Sequence, residues 1–198
     1  MLADNADARQ RVSHAVWETV AELGIEATTV RAVAARADCT TGLIMHRFGS
    51  RSAMLVHARQ TLFDRTAARA DGVDADTPVA DRLLAVACTV LPLDDVRMVE
   101  ARIFTGFAAA SIADAELREL HVHNTRKWLV RITGLVAELG SHVTDADAAE
   151  WAQEIVSTME GIAILAVLDG PTYPAAVQER LARRTIADVV DRVGRVRP

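Results

Sequence analysis

The sequence predicts an all-α protein of about nine helices in two parts, and three observations carry that prediction. Apolar residues recur at three- and four-residue spacing along most of the 198-residue chain. Proline is scarce, at five residues, and long spans lack paired turn signals, which argues against strands. Composition changes once, at "DGVDADTPVAD", a tract of Asp, Gly and Pro with the character of a linker.

Each helix has a start and a stop. The first spans about 7–23, with Val12, Val16, Val20 and Leu23 at helical spacing, and Gly24 ends it. Thr28 or Thr29 caps a second helix over 30–37. "DCT" is a tight turn, and Thr40 caps a third helix over 41–48. "GS" breaks it, with Ser50 as cap of a long fourth helix to about 70. After the linker, Thr77 caps a fifth helix ending near 90. "LPLDD" follows, with Asp94 as the next cap. Two long helices, about 95–112 and 114–139, divide near "SIAD". Thr144 and Asp147 form a start like a capping box, with Asp in place of Glu or Gln. The helix over 146–168 ends in the apolar "GIAILAVL", and the last runs about 175–193. The boundary predicted from this pattern puts a front domain at 1–58 and a helical domain at 59–198.

Several function classes are excluded. The composition, 51% apolar and 25% charged, is globular rather than disordered. No run of eighteen apolar residues occurs and the start is polar, so neither a membrane span nor a signal peptide is expected, and the location expected is cytoplasmic. Cys39 and Cys88 are then free thiols. The six histidines lack metal spacing. "G-x-S-x-G", a phosphate-binding glycine loop, "H-E-x-x-H" and the Glu-x-x-His pair of di-iron bundles do not occur. No enzymatic activity, cofactor or metal is expected.

The net charge of −5 disfavours nucleic acid at first sight, but its distribution matters more. Residues 1–60 hold seven Arg and six acids, so the front part is slightly basic and the remainder carries the acidity. Helices 30–37 and 41–48, joined by a three-residue turn, have the form of a helix-turn-helix. In the second of them Ile44 and Phe48 share one face and can pack inward. Thr41, Gly42, Leu43 and Arg47 are left to face outward. Gly42 costs about 1 kcal/mol of helix propensity relative to Ala, and a backbone that must approach a ligand surface closely accounts for it. The front end of such a helix suits phosphate and the DNA major groove. The competing reading is plain packing, since any helical domain contains short helix pairs.

Gly24, Thr28, Thr29, Val30, Val33, Ala34 and Ala37, then Gly42, Ile44, Phe48, Ser50, Arg51, Met54 and Leu55, stand at the spacing of a known signature. On these residues, 9–55 resembles the DNA-binding domain of the TetR family of bacterial transcriptional repressors. Three positions depart from the family pattern: Asp38 replaces a turn glycine, Met45 a tyrosine that touches phosphate, and Arg51 a lysine. The resemblance implies Thr29, Arg31 and Arg51 on the DNA backbone, and Thr41, Gly42, Leu43 and Arg47 in the groove. Thr40, Met45 and His46 complete the candidate set.

Farther along, "LPLDD", "RIF" and "MEGIAILAVLDG" resemble the C-terminal domain of BetI-type members. That resemblance implies a helical ligand-binding and dimerisation domain, a homodimer built on the last two helices, a palindromic double-stranded operator and release by a small-molecule inducer of unspecified identity. Phe104, Phe107, Trp128 and Met159, on three long helices, are the candidate inducer-binding residues, with ordinary core packing as the competing reading. An activator of the same family and a helical interaction protein that does not bind DNA are the alternatives.

Overall fold

The computed structural model describes residues 2–195, with side chains from residue 9 onward. Among the described residues the chain forms nine α-helices, one 3-10 turn and no strand, the all-α architecture expected. Two compact units divide it: residues up to Asp64 with Arg102–Val122, and Arg65–Ala101 with the chain from His123 onward.

The first unit holds α1 (Leu2–Leu23), α2 (Val30–Arg36), α3 (Thr41–Phe48) and the front of α4 (Arg51–Asp71). Val12, Val16 and Val20 are buried at the spacing that makes one face of α1. They join Val33 and Ala34 of α2, Ile44 of α3, and Met54, Leu55, Ala58 and Leu62 of α4 in one core. Trp17 Nε1 donates to the Ala58 carbonyl at 2.9 Å, tying α1 to α4. Ile103 and Phe107 of α6 (Asp95–Ala110) and Leu117 of α7 (Ala115–Ala137) complete this core. Gly106 lets α6 lie close to α1, because a Cβ there would stand 3.1 Å from Val20.

The second unit contains α5 (Val79–Ala87), α8 (Asp145–Leu168), α9 (Ala175–Arg195) and parts of α4, α6 and α7. Its core gathers Leu83, Trp128, Ile132, Trp151, Ile155, Met159, Ile186 and Val189. Glu100 is 8% exposed and forms ion pairs with Arg65 at 2.8 Å and Arg69 at 2.6 Å, joining α4 to α6 with a charge triad. The α8 helix is long and apolar enough to cross a membrane by composition alone, but its buried stripe from Ala148 to Ala163 lies in this core.

Most caps stand where the sequence puts them. Asp94 Oδ1 accepts from Arg97 N at 2.8 Å, and Thr144 Oγ1 accepts from Asp147 N at 3.2 Å. The fifth helix is a correction. It starts at Val79 with Pro78 in the cap position and no side-chain cap bond, so Thr77 does not cap it. A proline suits a helix start because its fixed φ matches and its missing N–H is one that would go unpaired. This helix also stops at Ala87, where the chain tightens into the 3-10 turn Cys88–Val90.

Candidate nucleic-acid interface

The two short helices are set by local chemistry. Thr29 is extended at φ −89° and its hydroxyl accepts from Ala32 N at 3.1 Å, which starts α2. Thr40 repeats the arrangement for α3, accepting from Leu43 N at 3.1 Å. Between them the chain reverses through Asp38 at φ 48°, and Cys39 N donates to the Ala34 carbonyl at 3.0 Å. This is the left-handed position that glycine takes most easily, and aspartate is among the few other residues that tolerate it. Burial pushes the Cys39 thiol above its usual range.

Packing then fixes which face of α3 is offered outward. Ile44 is fully buried, and Leu43, Arg47 and Phe48 are half-buried. Thr40, Thr41, Gly42, Met45 and His46 are exposed. A Cβ added at Gly42 would meet only Thr40 Oγ1, at an ordinary 3.8 Å. The fold therefore has no internal need for glycine there. On α2, Thr29 and Arg31 are exposed, while Arg36 is spent on α1, with Nη2 2.5 Å from Glu22. That hydrogen bond holds the Glu22 carboxyl below its usual range.

Arg51 is placed differently from its neighbours in the candidate set. Its Nε donates to the Thr28 carbonyl at 2.7 Å and its Nη2 to the Ile25 carbonyl at 2.5 Å. The residue ties the start of α4 to the α1–α2 connection. No short-range pattern announces such a bond, because its ends lie 23 and 26 residues apart.

The four inducer candidates divide between the units. Phe107 is 1% exposed in the first core, and Phe104 packs against it half-buried. The Arg59 guanidinium lies 5.0 Å from the Phe104 ring centre. Trp128 and Met159 belong to the second core. A groove of ≈ 270 Å³ in the second unit is lined by Ala70, Val73, Val86, Val130, Gly134 and Leu135 together with the charged Arg82, Arg131 and Glu138; it includes none of the four. Sequence reasoning passed over Asn124, which is 1% exposed with neither amide atom hydrogen-bonded. Only burial distinguishes it from a surface asparagine. Among the described residues no group of three or more His, Cys, Asp or Glu is placed to hold a metal ion.

A capped helix-turn-helix and a separate helical unit in one chain define a DNA-binding transcriptional regulator. Comparison with known proteins specifies which kind. Residues 14–58 match the model for bacterial regulatory proteins of the tetR family, and residues 79–191 match that for the C-terminal part of the BetI-type transcriptional repressor. The chain belongs to the TetR family and has a BetI-type C-terminal domain; it is a regulator, not an enzyme.

Among its relatives, the HTH-type transcriptional regulator BetI of Burkholderia thailandensis is 28% identical over 178 residues, covering 88% of this chain and 89% of that protein. The crystal structure of a transcriptional regulator from Rhodococcus sp. Rha1 superposes with a TM-score of 0.86 at 27% identity, over 92% of this chain and 96% of that one. A regulator from Saccharomonospora viridis, solved in complex with choline, shares the fold with a TM-score of 0.77 at 19% identity, over 92% and 96%.

Proposed function

We propose that this chain is a cytoplasmic homodimeric repressor that binds a palindromic operator through α3 and leaves it when a small molecule binds. Gly42 carries the reading: a glycine on an exposed helix front, costing about 1 kcal/mol and required by no internal contact, is explained by a surface that approaches from outside. Thr41, Gly42, Leu43 and Arg47 then serve the groove, with Leu43 able to meet a thymine methyl. Thr29 and Arg31 serve phosphates, and Thr40, Met45 and His46 flank them. Met45 has no hydroxyl to offer a phosphate, and the front part is only slightly basic, so occupancy depends on base contacts more than on charge.

One α3 reads only a few base pairs, so two are needed, about 34–36 Å apart. The end of α8 supplies a surface for pairing. Ile162, Ala163 and Ala166 are buried, whereas Leu165 is 42% and Leu168 73% exposed. With α9 these form the proposed dimer face, which a monomer in sedimentation equilibrium at micromolar concentration would contradict. Steric blocking of a promoter needs only this placement. A reporter that falls, rather than rises, on deletion of the gene would indicate activation instead.

The inducer is proposed to draw on Phe104 or Phe107 in the first unit, or on Trp128, Met159 and Asn124 in the second. Asn124 supports a ligand best, because a buried amide without partners costs about 1–3 kcal/mol until something bonds it. The aromatic residues do not favour a quaternary ammonium. Guanidinium groups stand over Phe104, Trp128 and Trp151, at 5.0, 5.7 and 5.6 Å from their ring centres, which occupies faces a cage would use. Converting nearly all protein from binding to released form needs about 10⁴-fold preference of the inducer for the released state. The test is fluorescence anisotropy with duplexes from around the protein's own gene, then a compound screen for operator release that includes choline. Equal affinity for operator and scrambled duplex would overturn the repressor reading.

A further inference from the structure

We propose that Arg51 is a positioning residue of the reading head, clamping the α1–α2 connection with one edge of its guanidinium instead of binding DNA phosphate. The inference deepens the DNA-binding reading and rests on it only where affinity is concerned.

The α1–α2 connection must end α1, reverse direction and deliver Thr29 and Arg31 at the front of α2. It turns through Gly24 at φ 79°, and Thr28 N donates to the Ile25 carbonyl at 3.1 Å. Thr28 is fully buried, and its hydroxyl donates to the Gly24 carbonyl at 2.9 Å. The carbonyls of Ile25 and Thr28 then meet Arg51, whose Nε and Nη2 form one side of the guanidinium fork. A planar fork fits two acceptors at fixed separation; an ammonium is a point charge on a flexible stem.

Helix energetics point the same way. Ser50 caps α4, accepting from Ala53 N at 3.0 Å, so Arg51 occupies the first turn of that helix. A cation there faces the positive end of the helix dipole. Two charge-assisted bonds to carbonyls offset that repulsion and hold the half-buried side chain back on the protein. The edge best suited to a bidentate phosphate contact is therefore already used. The segment held is the one that carries Thr29, cap of α2 and candidate backbone contact.

Arg51→Lys and Arg51→Ala in the full-length chain test this. Hydrogen exchange in the free protein is read at the hydrogen-bonded amides of Thr28 and Thr29. Operator affinity is read over a salt series, with a random duplex alongside. Expected are roughly tenfold faster exchange and roughly tenfold weaker operator binding for both variants, with the salt slope unchanged. Lysine decides if the alanine variant unfolds, because it keeps the charge but loses the fork. A salt slope lowered by about 0.9 in Arg51→Ala would overturn the proposal, as would a lysine variant equal to wild type in exchange and affinity. Should the unaltered protein bind no duplex, the repressor reading fails and exchange alone decides whether Arg51 braces the loop.

Discussion

Asp38 combines two properties that substitution can separate. It holds the left-handed backbone between α2 and α3 at φ 48°, and it places a negative charge in the turn just before α3. A residue other than glycine in that region loses roughly 1–2 kcal/mol, less for aspartate, whose side chain can bond locally. Glycine relieves the strain but gives back about 0.4–1 kcal/mol through the freer unfolded chain. The net expected for Asp38→Gly is a gain of about 0.5 kcal/mol, or roughly 1–2 °C in a protein of this size. Asp38→Ala has neither the tolerance of aspartate for this region nor the freedom of glycine and should lose about 1 kcal/mol. Asp38→Asn keeps the tolerance and removes the charge. One charge about 8 Å from a phosphate is worth roughly 0.5 kcal/mol in water, so Asn and Gly should each strengthen binding to any duplex roughly twofold at low salt, with less effect as salt rises. Scanning calorimetry orders the stabilities, and anisotropy over a salt series measures affinity. An alanine variant as stable as the glycine one would refute the conformational argument. An asparagine variant with unchanged affinity at low salt would refute the electrostatic one.

Three further outcomes are expected. Ile44→Ala, at a fully buried position beneath α3, should cost about 2–5 kcal/mol and lower the melting temperature by several degrees in calorimetry. Glu100→Gln leaves Arg65 and Arg69 without their carboxylate; full burial would cost about 3–5 kcal/mol, but both arginines reach solvent, so about 1–2 kcal/mol is expected in chemical denaturation. His57 and His121 ionise below the usual 6.5, chiefly because burial disfavours the charged ring, with Arg9 acting on the first and Arg59 on the second. The unfolded chain then binds protons more readily, so stability is full above about pH 6.5 and falls as pH drops through 6.5 toward the lower folded values. Melting temperature against pH should show this fall, and His57→Gln with His121→Gln should flatten it.

The sequence by itself determined what depends on neighbours within one or two turns. Thr29, Thr40, Asp94 and Thr144 cap helices through bonds that span three residues, and the apolar spacing of Val12, Val16 and Val20 marks a buried face. The helix-turn-helix and the family follow from such local patterns, which makes α3 legible to the residue. Even locally, two helix starters can compete, and Pro78 prevailed over Thr77 because a fixed φ needs no hydrogen bond. Tertiary structure decided what depends on residues far apart in the chain. A positive charge at residue 51 is visible in the sequence, but its two carbonyl partners are not. Phe107 has the composition of a ligand contact, and only packing puts it in the core beside Val20 and Leu117. Asn124 is an ordinary polar residue until burial removes its water and leaves its amide unbonded. Periodicity tells which face turns inward, whereas which atoms meet there depends on how helices distant in sequence come together.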